Sequence, residues 1–293
     1  MKPVNFDYAA PESVADAIRL LVEARGEAKI IAGGQSLLPL LNMRMARPSL
    51  LVDLARIPGL DEVRLSDGWL EIGAMTRHAV VEAHPLVRRH APLLAAAASF
   101  VAHHQVRNRG TIGGSTAHAD PAAEEPLALL ALDSELIAEG PDGAAKWPIG
   151  AFFRGPMTTA LADAQVLVKL RVPCRGPSEG WAFREISRRR GDLALAAVAV
   201  WLRREDGICR DLRVALGGVA DRPVRAKAAE AALRGCAWEP QIVDKTPALL
   251  EADIAPGSDV HATADYRRAV ARELLVHALN EAWERVGELS PHC

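Results

Sequence analysis

The chain has 293 residues, 49% apolar and 25% charged, and 35 Lys and Arg against 37 Asp and Glu give a formal charge of −2 at pH 7. This describes a globular protein of two or three packed units and excludes the basic tract that a nucleic-acid partner needs. Cys174, Cys209, Cys236 and Cys293 stand far apart, with no CxxC and no histidine at zinc-finger spacing, so neither an iron–sulfur cluster nor a structural zinc is encoded.

The N-terminus has no apolar stretch of signal-peptide length, and nowhere do eighteen uncharged apolar residues run together. A cytoplasmic protein without direct membrane insertion is expected. An extended piece, Val4 to Tyr8, precedes Ser13 and a helical pattern (Val14, Ala17, Ile18, Leu21, Val22) that Gly26 stops. Lys29 to Ala32 and Leu50 to Leu54 read as strands around Gly33-Gly34 and an apolar run at Leu37 to Leu41, which together make a small βαβ-type unit. Val63 to Leu65 and Trp69 to Ile72 flank Ser66-Asp67-Gly68 as a hairpin, and helices are expected at Thr76 to Ala83 and Leu86 to Val101. His103 to Pro121 reads as a long polar loop, usually a functional feature. A helix follows at Glu124 to Leu132, then strands near Glu135 to Ala138 and Gln165 to Val172. Pro173 to Pro177 is the best linker. Beyond it, Trp181 to Ile186, Leu195 to Leu202 and Leu212 to Leu216 predict an antiparallel sheet, closed by helices at Arg225 to Leu233 and Ala264 to Val286. The basic run Arg188 to Arg190 reads as a solvated strand end.

Two glycine-pair turns carry the candidate chemistry: Ile31-Ala32-Gly33-Gly34-Gln35-Ser36-Leu37 and Gly110-Thr111-Ile112-Gly113-Gly114-Ser115-Thr116. Paired glycines let consecutive backbone N–H groups face one point, and each turn runs toward a helix start, so both are expected to accept anionic oxygen. Two such cups about eighty residues apart suit the two phosphates of a dinucleotide. Neither has the GxxxxGK[ST] lysine of an ATP-cleaving loop or the GxGxxG of the Rossmann fold. Taken singly, each is also compatible with a plain strand-to-helix turn. His103, His104 and His118 give no convincing metal set. Glu124 and Glu125 fit the first turn of a helix, where carboxylates complement the dipole, and Glu124 is placed to reach a ribose hydroxyl. No Ser-His-Asp or Cys-His order supports hydrolysis.

With these turns the sequence resembles the FAD-binding subunit of molybdenum hydroxylases, the family that includes carbon monoxide dehydrogenase, xanthine dehydrogenase and N-heterocycle hydroxylases. The segments that carry the resemblance are AGGQSLLPLL from Ala32, RPSLLVDLARIPGL from Arg47, VRNRGTIGGSTAHADPAAE from Val106, SRRRGDLALAAVAV from Ser187 and ALGGVADRPVRA from Ala215. It implies an α+β chain: a two-part FAD-binding domain of the vanillyl-alcohol oxidase type over residues 1–176 (subdomains about 1–57 and 58–176), then a C-terminal α+β domain, an antiparallel sheet with helices, over 177–293.

The match implies that Ala32, Gly33, Gly34, Gln35, Ser36 and Leu37, with Thr111, Ile112, Gly113, Gly114 and Ser115, surround the FAD pyrophosphate. Ile31, Ala117 and His118 would be further cofactor contacts, and Glu124 would touch the nucleotide part. Leu161 would lie by the isoalloxazine through its backbone, Val101 would be an apolar neighbour, and Arg184 stands where relatives carry a lysine at the flavin. There Arg184 would stabilise the reduced ring by its charge. Some proteins that share the FAD domain attach flavin through a histidine beside the glycine turn; Gln35 stands there and is no nucleophile, so releasable FAD is expected. The resemblance further implies a molybdenum cofactor on a large partner subunit, 2Fe-2S clusters on a small one, a dimer of heterotrimers and an external electron acceptor. No metal site and no catalytic acid or base are expected in this chain. Two alternatives stand beside this: a self-contained flavin dehydrogenase or oxidase, and a non-redox nucleotide-binding scaffold in which both turns are structural.

Overall fold

The computed structural model describes residues 2–287; Cys293 and the end of the expected C-terminal domain lie outside them. The first subdomain is a three-stranded parallel sheet in the order β1 (Asp7–Ala9), β3 (Leu50–Asp53), β2 (Ala28–Ile31). Helix α1 (Val14–Glu23) covers it, because Ser13 caps its N-terminus by accepting from Asp16 N–H at 3.0 Å and Ala17 and Leu21 face the core. The apolar run after Gly34 is a short helix, α2 (Leu37–Asn42), with Leu41 buried and Leu38 exposed.

The second subdomain is built on a five-stranded antiparallel sheet in the order β4-β5-β10-β6-β7: β4 (Val63–Ser66), β5 (Trp69–Gly73), β6 (Glu135–Gly140), β7 (Gly143–Pro148) and β10 (Val166–Pro173). The β4–β5 hairpin closes through Asp67 and Gly68, both at positive φ, the conformation that matches strand twist in a two-residue turn. Between β5 and β6 run α3 (His78–Ala83), α4 (Pro85–His90), α5 (Pro92–Phe100), α6 (His104–Arg107), α7 (Ile112–His118) and α8 (Glu124–Ala131). The single helix expected over 86–101 is two, because Pro92 forces Ala91 out of helical geometry (φ −145°, ψ 56°). The stretch 103–121 is not one loop: α6 and α7 fold within it, the latter started by Thr111. Every residue of α8 is buried. Helix α9 (Ile149–Phe152) and the small hairpin β8 (Phe153–Gly155) with β9 (Thr158–Thr159) lead into β10.

The C-terminal sheet is antiparallel, in the order β11 (Glu179–Ile186), β12 (Ala196–Glu205), β13 (Ile208–Gly217), β14 (Val224–Arg225). Helices α10 (Lys227–Leu233), α11 (Pro240–Val243), α12 (Thr246–Leu249) and the long α13 (Ala264–Glu284) complete this part. Successive strand residues point to opposite faces. Ala182, Val198, Val200, Val214 and Leu216 pack with α13 and α10 in one core, whereas Phe183, Ala197, Ala199, Trp201 and Ala215 join the core that holds α5, α8 and the five-stranded sheet. That second face binds the two halves through apolar contact. Even the segment expected as a linker is held, since the Arg175 guanidinium lies 4.1 Å over the Trp201 ring.

Candidate functional site

The first glycine turn is an open cup. It begins where β2 ends, with Gly34 left-handed at φ +72° and Ser36 right-handed at φ −99° and ψ −42°. Among the described residues, the N–H groups of Gly34, Gln35, Ser36 and Leu37 find no acceptor. Consecutive free N–H groups in such a bend form a nest for anionic oxygen. Gln35 and Ser36 are exposed, and the Gln35 amide folds back to donate to the Gly33 carbonyl at 3.0 Å.

The second turn is closed. Thr111 caps α7 by accepting the Gly114 N–H at 3.1 Å, Ser115 N–H donates to the Thr111 carbonyl at 2.9 Å, and Ile112 and Gly113 N–H donate to Thr76 and Ala74 carbonyls at 3.0 and 2.9 Å. The expected pair of equivalent amide cups is therefore one cup and one buttress, because the N–H groups freed at the start of α7 are taken up by the strand end at 74–76 and by the threonine cap. Glycine is needed here for close approach: a Cβ on Gly113 would stand 2.4 Å from the Ala74 Cβ. The two turns also touch, since a Cβ on Gly33 would stand 2.3 Å from the Arg109 carbonyl oxygen. What α7 offers outward is Gly114, Ser115 and His118, half-buried, and Ala117, exposed. Thr111, Ile112 and Gly113 are buried beneath them.

Leu161 is brought to the same helix, because Met157 N–H donates to the Ala119 carbonyl at 3.1 Å and carries the β9 hairpin onto α7. The Leu161 N–H is already held by Thr159 Oγ1 at 3.2 Å, and among the described residues no backbone group outside the helices and strands donates to its carbonyl. Val101 ends α5 beside Phe100, whose ring lies 5.1 Å from that of Phe183 on β11. Arg184 is not brought to these residues. It points to the α13 side of β11, where its Nε donates to Glu281 Oε2 at 2.6 Å. Strand alternation is the reason, and it turns Glu185 the other way.

Beneath the second turn lies a buried polar group that sequence reasoning treated only as helix-end charge. Glu125 is fully buried and its Oε2 sits 2.8 Å from His78 Nδ1. Burial alone would lower the His78 pKa, but the Glu125 carboxylate overrides this and raises it above its ordinary value. Glu124, beside it at the start of α8, is pushed up to about 7 by burial, with the Glu125 and Asp120 charges adding. No group of three or more metal-ligating side chains occurs among the described residues.

Orphaned N–H groups at the first turn, a small-residue helix face beside it and the contact between the turns suit an elongated anionic dinucleotide. Residues 4–175 match the family described as the FAD binding domain in molybdopterin dehydrogenase, and residues 181–282 match the CO dehydrogenase flavoprotein C-terminal domain. The chain belongs to the family of FAD-binding medium subunits of molybdenum hydroxylases, and it carries that family's FAD-binding domain. It is 41% identical over 286 residues to the 6-hydroxypseudooxynicotine dehydrogenase complex subunit alpha of Paenarthrobacter nicotinovorans, covering 97% of each chain. It is 38% identical to the carbon monoxide dehydrogenase medium chain of Hydrogenophaga pseudoflava, covering 97% of this chain and 99% of the relative. The solved carbon monoxide dehydrogenase from that organism, in a form that lacks the Mo-pyranopterin moiety of the molybdenum cofactor, superposes with a TM-score of 0.96 at 41% identity, covering 98% of this chain and all of the other. These relatives are subunits of oxidoreductase complexes. No helix among the described residues is long and apolar enough to cross a membrane.

Proposed function

We propose that this chain is the electron-transfer subunit of a molybdenum hydroxylase, in which FAD links 2Fe-2S clusters on a small partner subunit to an external acceptor. Bound FAD supplies the exchange of electrons singly or in pairs, and the chain supplies binding and orientation. Gly34 to Leu37 hold the pyrophosphate through their free N–H groups. The outer face of α7 and the Leu161 carbonyl border the cofactor, Val101 closes an apolar side, and Glu124 lies toward the nucleotide. FAD is held without a covalent bond, since Gln35 stands at the turn with its amide engaged on Gly33. Residues 1–176 form the FAD-binding domain and 177–293 the C-terminal domain, and the protein works in the cytoplasm as part of a dimer of heterotrimers with a large molybdenum-cofactor subunit.

The observation that carries this reading is the match to medium subunits over 97% of the chain together with the open N–H cup at its first glycine turn. The test is purification of the chain from its native host. Expected are flavin absorption near 370 and 450 nm, typical of flavoproteins generally, yellow colour released into the supernatant on acid precipitation, and co-purification of a molybdenum subunit and an iron–sulfur subunit. A colourless protein contradicts the cofactor assignment, and a yellow protein that purifies alone and oxidises a small substrate contradicts the assembly.

A further inference from the structure

Cys209 and Cys236 are far apart in the sequence and neighbours in the fold. Cys209 lies at the start of β13, and Cys236 lies in the turn that follows α10. The Cys209 N–H donates to the Cys236 carbonyl at 2.9 Å, and the Gly235 N–H donates to the Cys209 carbonyl at 2.7 Å. One residue further along, Ile208 and Ala237 form an antiparallel bridge. Gly235 and Cys236 thus stand together opposite Cys209, and Gly235 is left-handed at φ +83°. This is a bulge whose first residue is a left-handed glycine; the glycine absorbs the extra residue, and Cys236 keeps the place of a cross-strand partner, on the same side as Cys209. The packing agrees. Cys209 is buried in the core that includes Ala229 and Leu233 of α10, and the Cys236 thiol donates to the Ala232 carbonyl of that same helix at 3.4 Å. Opposed residues of an antiparallel pair hold their Cα atoms about 4.5–5.5 Å apart, a span that a disulfide bridges.

We propose that Cys209 and Cys236 are a redox-sensitive pair, a dithiol that hydrogen peroxide converts to an intramolecular disulfide. The two thiols differ in access. Cys236 is half-buried and meets the peroxide, whereas Cys209 is fully buried and needs to be reached only by its neighbour across the bulge. The Cys236 thiolate attacks one peroxide oxygen and the O–O bond breaks, giving a sulfenic acid and a hydroxide that takes up a proton as water. The Cys209 sulfur then attacks the Cys236 sulfur; the S–O bond breaks, and the departing hydroxide leaves with the Cys209 proton as a second water. Two thiols thus lose two electrons and one peroxide gains them. Burial pushes the Cys209 pKa up to about 11, with the Asp211 charge adding, so it stays a thiol until the sulfenic acid forms beside it. In a reducing compartment the dithiol is the resting form and the disulfide is transient. Cys174 offers no such pairing, since it follows β10 and its N–H donates to the Gly68 carbonyl.

This inference does not depend on the cofactor reading. The full chain, in the assembly in which it purifies, is treated with a small molar excess of hydrogen peroxide, blocked with iodoacetamide and digested without reductant. Mass spectrometry is expected to find the Cys209 and Cys236 peptides joined in most chains, lighter than their sum by the two thiol hydrogens, and separated again by dithiothreitol. Cys174→Ser should form the bond as readily as wild type, and Cys236→Ser, a small change at a half-buried position, should not form it. With Cys209→Ser the sulfenic acid has no partner, so dimedone should label Cys236. The proposal is overturned if the two wild-type peptides stay separate, whether Cys236 remains a thiol or is carried on to sulfinic acid. It is equally overturned if either cysteine joins Cys174 or Cys293 instead, or if the joined species persists in Cys236→Ser.

Discussion

Gly33-Gly34 and Gly113-Gly114 look alike in the sequence, each a glycine pair leading into a helix near a serine, yet the first leaves four backbone N–H groups without an acceptor among the described residues and the second spends its own on the protein. The difference lies in what precedes each pair. Before Gly113 stands Thr111, whose hydroxyl reaches back to Gly114, and Thr111 itself bridges to Arg77, which brings the 74–76 carbonyls within reach of Ile112 and Gly113. Before Gly33 stands a parallel strand with no hydroxyl at the capping position, and among the described residues no group accepts from the N–H groups of Gly34 to Leu37. A glycine pair is therefore a permissive feature, and its hydrogen-bond inventory decides whether it binds or supports.

Substitutions should separate the two. Gly113→Ala drives a methyl into Ala74, and backbone has to move; about 2–4 kcal/mol is lost, and the FAD-free chain should melt about 5–10 °C lower. A melting temperature within a degree of wild type would mean that the second turn is not a buttress. The helix that follows it gives a smaller, pH-dependent effect. The folded chain keeps the Glu124 proton up to about pH 7, whereas an unfolded glutamate releases it near 4.5, so the folded state binds more protons in between and stability falls as pH rises through that window. Glu124→Gln removes this loss: the FAD-free variant should match wild type at pH 4.5 and exceed it by on the order of 1–3 kcal/mol at pH 8. Denaturant titrations at both pH values check this, and equal pH slopes for the two proteins would rule it out. Smallest is Gly34→Ala, where φ of +72° makes a side chain cost about 1 kcal/mol. Its effect should fall more heavily on FAD affinity than on the FAD-free melting temperature, which calorimetry and fluorescence titration can compare in one preparation.

Much of the fold was legible. The hairpin at Ser66-Asp67-Gly68, the helix begun at Ser13 and the antiparallel C-terminal sheet follow from turn chemistry, capping and apolar runs. The break at Ala91 was hidden by an apolar pattern that continues across it, although Pro92 marks it. The two short helices in 103–121 were hidden because α6 and α7 are four and seven residues long and polar or glycine-bearing. At the site, both turns were visible as motifs, but their unlike wiring depends on contacts with residues 74–76, more than thirty positions away. Strand parity at β11 was equally hidden. Trp181, Phe183 and Glu185 share one face and Ala182, Arg184 and Ile186 the other, and since both faces carry apolar residues, alternation gives no clue to which charged residue looks at the cofactor domain.

Amide hydrogen exchange tests the asymmetry of the two turns most directly, followed residue by residue with and without FAD. The N–H groups of Gly34 to Leu37 should exchange fast in the FAD-free protein and become protected when FAD binds, while those of Ile112 to Ser115 should be protected throughout. Strong protection appearing at Ile112 to Ser115 only on FAD binding, or none gained at Gly34 to Leu37, would contradict the account.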